Sequence, residues 1–162
     1  MPSCKSVSRS GRDGERIRRI NPVGRITFKR ENQNMPSSAA TDIVSRVEQN
    51  WVRCFDERDI EGLSQLYSRE ACLFGGKPEL FHRREGVRTY FGLLAHLPLR
   101  AEFGERTVVQ LSPTVISSNG YMTFCILDAE PSQSTHPYRI TLILVEEDGD
   151  WKIAGHHASP VP

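Results

Sequence analysis

Apolar and polar positions divide the chain into an irregular opening stretch and a strongly patterned remainder. Ile43, Val44, Val47, Trp51, Cys54 and Phe55 recur at helical spacing behind Thr41 or Asp42 as an N-cap. Asp59 caps a second, short helix that turns Leu63, Leu66 and Tyr67 inward. Ala71-Cys72-Leu73-Phe74 is a short apolar strand closed by Gly75-Gly76. A third helix is predicted from about Arg84 to Leu94, burying Val87, Tyr90, Phe91 and Leu94, with Pro98 beyond its end.

Everything after that reads as strand. The run 107–111 continues past Ser112-Pro113 into 114–116, the proline marking a bulge or an edge bend. Ser118-Asn119-Gly120 reads as a hairpin turn, with 121–127 as the returning strand. A polar loop over 128–137 leads to the strand 138–145, an Asp148-Gly149 turn, and a final strand from Trp151 to the Ser159-Pro160 stop. Helices first and sheet last is the α+β pattern. The expected architecture is three N-terminal helices packed on a strongly curved antiparallel sheet, with a central pocket on its concave side.

Composition adds a boundary. The 162 residues suffice for one domain with a substantial core, and 38% hydrophobic with 25% charged residues is ordinary for a soluble globular protein. No apolar run approaches the roughly 18 residues of a membrane span, so no membrane partner is expected. The net charge of +1 hides an asymmetry. Residues 1–34 carry nine Lys/Arg against three Asp/Glu, and residues 35–162 carry twelve against seventeen. Residues 1–34, too poor in apolar side chains to offset the entropy of ordering, are expected to be a disordered basic tail, and 35–162 to be the folded domain. Three readings of the tail stand side by side: a basic arm for nucleic acid or a membrane surface, a transit peptide, or a stretch upstream of a native start at Met35. Nucleic-acid contact is expected only through this tail.

The chemistry-bearing residues are few. Cys4, Cys54, Cys72 and Cys125 lack metal-ligand spacing, and three of them sit among apolar neighbours; reduced thiols in a cytoplasmic protein, with no metal, follow. No Gly-rich dinucleotide motif follows a strand, so no cofactor is expected. His156 and His157 are adjacent on the last strand and point to opposite faces, so one at most reaches a shared pocket. There it is a candidate catalytic proton donor or a ligand anchor; the alternative is that each bonds a backbone carbonyl or an acid. Arg139 lies in an apolar strand and calls for Asp56, Glu57 or Asp128 as a partner, or for a ligand anion. Tyr67 and Tyr90 are read as facing the sheet, either as core or as hydroxyl donors to a ligand. Trp51 and Trp151 are read as core. Arg83-Arg84 sits badly for the helix dipole, which leaves either a solvated or a ligand-directed role.

Several motifs, in order, resemble one superfamily. They are Trp51 to Tyr67 through Asp59-Ile60-Glu61-Gly62-Leu63, Glu85-Gly86-Val87-Arg88-Thr89-Tyr90-Phe91, Val109-Gln110-Leu111-Ser112-Pro113-Thr114-Val115, and Asp148-Gly149-Asp150-Trp151-Lys152-Ile153 with His157 and Ser159. Over about residues 42–160 the chain resembles the SnoaL-like, or nuclear transport factor 2-like, proteins with their cystatin-like cone. It looks nearest to the calcium/calmodulin-dependent kinase II association domain and its bacterial SgcJ/EcaC-type relatives. The resemblance implies a fold that hosts isomerases, dehydratases, cyclases and oligomerisation modules alike. It implies pocket arginines on the last two strands of the association domain, where this chain has Leu142 and Ala158, so that anion pocket does not carry over. It implies a base near the first strand in the ketosteroid isomerase branch, where Ala71 to Gly76 offers no acid. For cyclases it implies a late-strand acid, for which Asp128 is the nearby candidate.

Two functions from different classes remain. One is a cofactor-independent acid–base enzyme of isomerase, dehydratase or cyclase type, acting on a small apolar or mildly polar metabolite in the cone pocket. The other is a non-catalytic ligand-binding or oligomerisation module. Either form is expected to be a homodimer through the open sheet face, because strands 121–127 and 138–145 carry apolar residues on both sides. The discriminator is a pocket acid or base without a structural partner.

Overall fold

The computed structural model describes residues 19–20, 26–27, 37–127 and 135–162. The chain divides into two units, Met1–Gln33 and Asn34–Pro162. In the first, β1 (Arg19–Ile20) pairs antiparallel with β2 (Ile26–Thr27). The expectation of a disordered tail otherwise falls outside the described residues, as do Cys4 and Asp128.

The second unit runs α1 (Ser37–Asp56), α2 (Ile60–Gln65), β3 (Tyr67–Phe74), β4 (Phe81–His82), α3 (Arg83–Leu94), β5 (Leu99–Ser112), β6 (Val115–Ile126), β7 (Thr135–Glu147) and β8 (Asp150–Pro160). Over its described residues it is an α+β unit with three helices and one six-stranded sheet in the order β4-β3-β8-β7-β6-β5. The sheet is mixed rather than wholly antiparallel. After the β7–β8 hairpin the last strand lies beside β3 and runs parallel to it, with Leu73 level with His156 and Phe74 with His157. Among the described residues no helix is long and apolar enough to cross a membrane.

The helices follow their sequence signals. Asp59 accepts a hydrogen bond from the Gly62 amide at 2.8 Å, the N-cap bond that a helix start leaves open. α1 begins at Ser37, ahead of the Thr41 or Asp42 start expected, because buried Ala40 extends its apolar stripe by a turn. Tyr67 opens β3 instead of closing α2, which is capped at Leu66. At the α1–α2 corner Arg58 donates to the carbonyls of Phe55, Leu97 and Leu99, at 2.7, 2.8 and 2.7 Å, tying that corner to the start of β5.

The β5–β6 turn lies at Ser112-Pro113-Thr114-Val115, and Ser118-Asn119-Gly120 is inside β6. Pro113 lacks the N–H a ladder needs and is consistent with the turn. Gly120 is required for a different reason: a Cβ there would stand 2.1 Å from the Glu105 carbonyl oxygen and 2.7 Å from the Arg106 Cα. It faces the register shift between Phe103 and Arg106, a bulge that brings the β5 backbone close. The Asp148-Gly149 hairpin holds as read, with φ of 56° and 83°, the left-handed pair a two-residue turn of this kind demands.

The core lies between the helices and the inner sheet face, around Trp51, Phe55, Phe91, Leu73, Leu142, Leu144 and Ile153. Trp51 stacks on Phe55 with ring centroids 5.0 Å apart and meets Phe91 and Phe103 edge-on. Trp151 is only half-buried at the edge of that core. Cys54, Cys72 and Cys125 are free thiols.

Candidate functional site

A cavity of about 270 Å³ opens between α1, α3 and the inner sheet face. Trp51 comes from α1 and Tyr90, Phe91 and Leu94 from α3; Phe124, His136, Tyr138, His156 and Ala158 line it from the sheet. Gly76, Lys77, Leu97 and Leu99 complete the lining.

One irregularity chooses which histidine enters. Across β7 and β8, Leu144 lies opposite Ile153 but Ile143 lies opposite Gly155, so Ala154 is an extra residue, a bulge. Strict alternation from inward Ile153 would turn 155 and 157 inward. The bulge flips the parity: His156 is 6% exposed and faces the interior level with Leu142, whereas His157 is on the opposite face, exposed, edge-on to Phe74.

His156 is held by a chain of hydrogen bonds. Trp51 Nε1 donates to the Tyr67 hydroxyl at 2.9 Å, and that hydroxyl lies 2.7 Å from His156 Nδ1. Indole nitrogen can only donate, so the Tyr67 oxygen accepts there and directs its own proton to Nδ1. That pairing is the one a neutral imidazole makes when its hydrogen is on Nε2. Burial favours the same state, lowering the His156 pKa to about 3 with a smaller contribution from His157. Burial likewise raises the Tyr67 hydroxyl well above its ordinary value, so it stays protonated.

Tyr90 supplies a second polar group. Its hydroxyl accepts from the Gly76 amide at 3.0 Å, which leaves its own proton for another partner. A Cβ on Gly75 would stand 2.1 Å from that oxygen, so the Gly75-Gly76 pair that closes β3 also makes room for the Tyr90 ring end. Burial raises the Tyr90 pKa, against the Gly76 bond. Tyr138 packs edge-on against Phe124 at 5.3 Å. Among the described residues, no Asp, Glu, Asn or Gln lines the cavity.

The structure thus brings His156, Tyr67 and Tyr90 together and separates the others. Tyr67 contributes from behind His156 and is itself no part of the lining. Arg139 is exposed on the outer face and donates to the Pro160 carbonyl at 3.2 Å. The partners expected of it are engaged elsewhere: Asp56 accepts from the Ala101 amide and Glu57 pairs with Arg53. Strand alternation puts Arg139 in water, where no partner is needed. Asp128 lies outside the described residues. Arg83 pairs with Glu70 at 3.1 Å, and Arg84 bonds the Tyr67 carbonyl at 2.8 Å and Glu147 at 3.3 Å, so both have partners within the fold.

Sequence reading missed Lys77, His136 and Tyr138 as lining residues. It also missed a second polar cluster, outside the lining. Glu48, 4% exposed, lies 2.9 Å from Arg106 Nε, and Ser118 Oγ donates to it at 3.5 Å. Arg106 also donates to Ser45 Oγ at 2.8 Å. The signal was present: Glu48 shares the inward helical face of Val44, Val47 and Trp51. Desolvation raises the Glu48 pKa to about 7 despite the opposing charge of Arg106 and the Ser118 bond.

Comparison with known proteins places this geometry. The SnoaL-like domain family model matches residues 44–162. No curated protein matches. Among solved structures, a Xanthomonas campestris protein assigned as a calcium/calmodulin-dependent protein kinase II association domain is 24% identical, with a TM-score of 0.66 over 74% of this chain and 86% of that one. A Nostoc punctiforme protein of unknown function with a cystatin-like fold gives a TM-score of 0.68 at 12% identity, over 80% and 96%. The hexachlorocyclohexane dehydrochlorinase LinA-type3 of Novosphingobium barchaimii gives 0.66 at 13% identity, over 77% and 88%. At these identities the likeness is one of fold.

Proposed function

The chain belongs to the SnoaL-like domain family, and from that premise we propose that it is a small-molecule-binding protein whose cone encloses an apolar or mildly polar metabolite in the cavity at His156. The observation that carries the reading is the pairing of an aromatic-walled cavity with one buried histidine whose orientation is fixed from behind by Tyr67 and Trp51. Ligand sites combine apolar walls with a few placed polar groups in this way. A thermal-shift screen of a metabolite panel tests it: wild-type hits are expected to lose their shift when Leu94→Trp fills the cavity. Hits that survive the filling would place the ligand elsewhere and sink the reading.

A second reading, cofactor-independent acid–base catalysis of isomerase, dehydratase or cyclase type, is favoured by the presence of His136 on the same cavity as His156. Such chemistry needs one group to take a proton and another to steady the charge that develops. Exposed His136 suits the first task, and neutral His156 the second. His157, on the other face, takes no part in this reading.

Homodimerisation through the open sheet face fits the outward side chains of β3, β5 and β6. Phe74 and Val109 are each 45% exposed, Tyr121 55% and Leu111 59%. The free thiols suit a reducing cytoplasm.

A further inference from the structure

We propose that the cavity selects ligands carrying a hydrogen-bond-accepting oxygen, a carbonyl or carboxylate, and that His156 Nε2–H is the donor that holds it; this rests on the reading of the cavity as a ligand site. The geometry argues it in three steps. First, Nδ1 is occupied: Trp51 cannot accept, so the buried Tyr67 proton has Nδ1 as its acceptor, which favours the tautomer with hydrogen on Nε2. The nitrogen left for the cavity is Nε2, and it carries a hydrogen. Second, Tyr90 accepts from the Gly76 amide, so its hydroxyl also has a proton to offer, and Lys77 is a donor by nature. Third, the described lining has no carboxylate or side-chain amide, so its side-chain acceptors are limited to the Tyr90 and Tyr138 hydroxyls and the His136 ring.

A ligand with no acceptor atom would leave the His156 Nε2 hydrogen unmet, and an unmet buried donor is costly. A ligand with an acceptor oxygen removes that penalty. The apolar walls, among them Trp51, Phe91, Leu94, Leu97, Leu99 and Phe124, suit a flat apolar body. The cavity of about 270 Å³ lies just below the usual range for drug-sized ligands, so a single substituted ring is the right scale.

The test uses two probes of equal size, acetophenone and isopropylbenzene, titrated into the full chain and followed by the amide shifts of Gly76 and Ala158. Acetophenone is expected to bind at least about tenfold tighter, as one neutral hydrogen bond of about 1.4 kcal/mol would give. Tyr67→Phe, which frees Nδ1 and lets the ring exchange tautomers, is expected to reduce that preference. Equal binding of the two probes overturns the donor assignment while leaving the cavity as a ligand site. Binding of neither overturns both. A measurement that needs no variant runs beside it: the nitrogen shifts of His156 at neutral pH are expected to report a neutral ring protonated at Nε2. A ring protonated at Nδ1, or at both nitrogens, overturns the assignment whatever the probes do.

Discussion

Replacing Glu48 by Gln should change the pH dependence of stability in a direction opposite to that of an ordinary paired carboxylate. Glu48 is buried under α1 against Arg106 and Ser118, and its folded pKa of about 7 stands above the ordinary 4.5. Between those values the folded state holds a proton that the unfolded state has released, so wild-type stability falls as pH rises. Worked from the shift, the full loss is about 3 kcal/mol, most of which falls between roughly pH 5 and pH 8. Gln mimics the protonated acid and removes the effect. His156 pulls the other way: its pKa, lowered to about 3, makes stability rise with pH up to the unfolded value near 6.5. It is present in both proteins and cancels in the difference. The assay is urea denaturation of wild type and Glu48→Gln at the two pH values. The stability of the variant relative to wild type should climb by roughly 2–3 kcal/mol on going to the higher pH. A change below about 1 kcal/mol, or one of opposite sign, would refute the claim that desolvation outweighs Arg106 at this site.

Four further outcomes are expected. Gly120→Ala should destabilise by ~3 kcal/mol or more in equilibrium unfolding, because its Cβ meets backbone atoms rather than a movable side chain. Asp59→Ala should cost about 1 kcal/mol by the same measurement, through loss of the bond to the Gly62 amide. Tyr67→Phe leaves Trp51 Nε1 and His156 Nδ1 without their shared partner and should cost roughly 2–4 kcal/mol in urea unfolding. If the open sheet face is the dimer interface, Tyr121→Arg should give a monomer in sedimentation velocity where the wild type is a dimer, with unchanged circular dichroism.

Much of the fold was legible because its signals are local. Asp59 announces its helix by capping it, and Asp148-Gly149 announces its turn by tolerating positive φ at both positions. The third helix began within a residue of its expected start. The failures have one physical form. Ser118-Asn119-Gly120 has the composition of a turn, but its glycine answers a close approach by Glu105 and Arg106 on a neighbouring strand. The parallel β3–β8 pairing joins segments at opposite ends of the domain, which no local pattern encodes. The start of α1 was set by Ala40, whose burial depends on what packs against it.

The site was harder to read, since its chemistry depends on strand parity, and one inserted residue reverses parity. In the adjacent pair His156-His157 the sequence shows two candidates of equal standing; the bulge at Ala154 decides between them by turning His156 inward to Tyr67. The same bulge sends His157 to the outer face beside Phe74. Had β8 kept strict alternation, the residue at 156 would have faced out, and the Trp51–Tyr67 chain would have ended on a different side chain. Trp51 and Tyr67 were legible as core residues, and they are core, yet their polar atoms are what hold His156 in place. A buried Trp and Tyr each need a partner for N–H and O–H. Those partners, rather than a catalytic motif, point to His156.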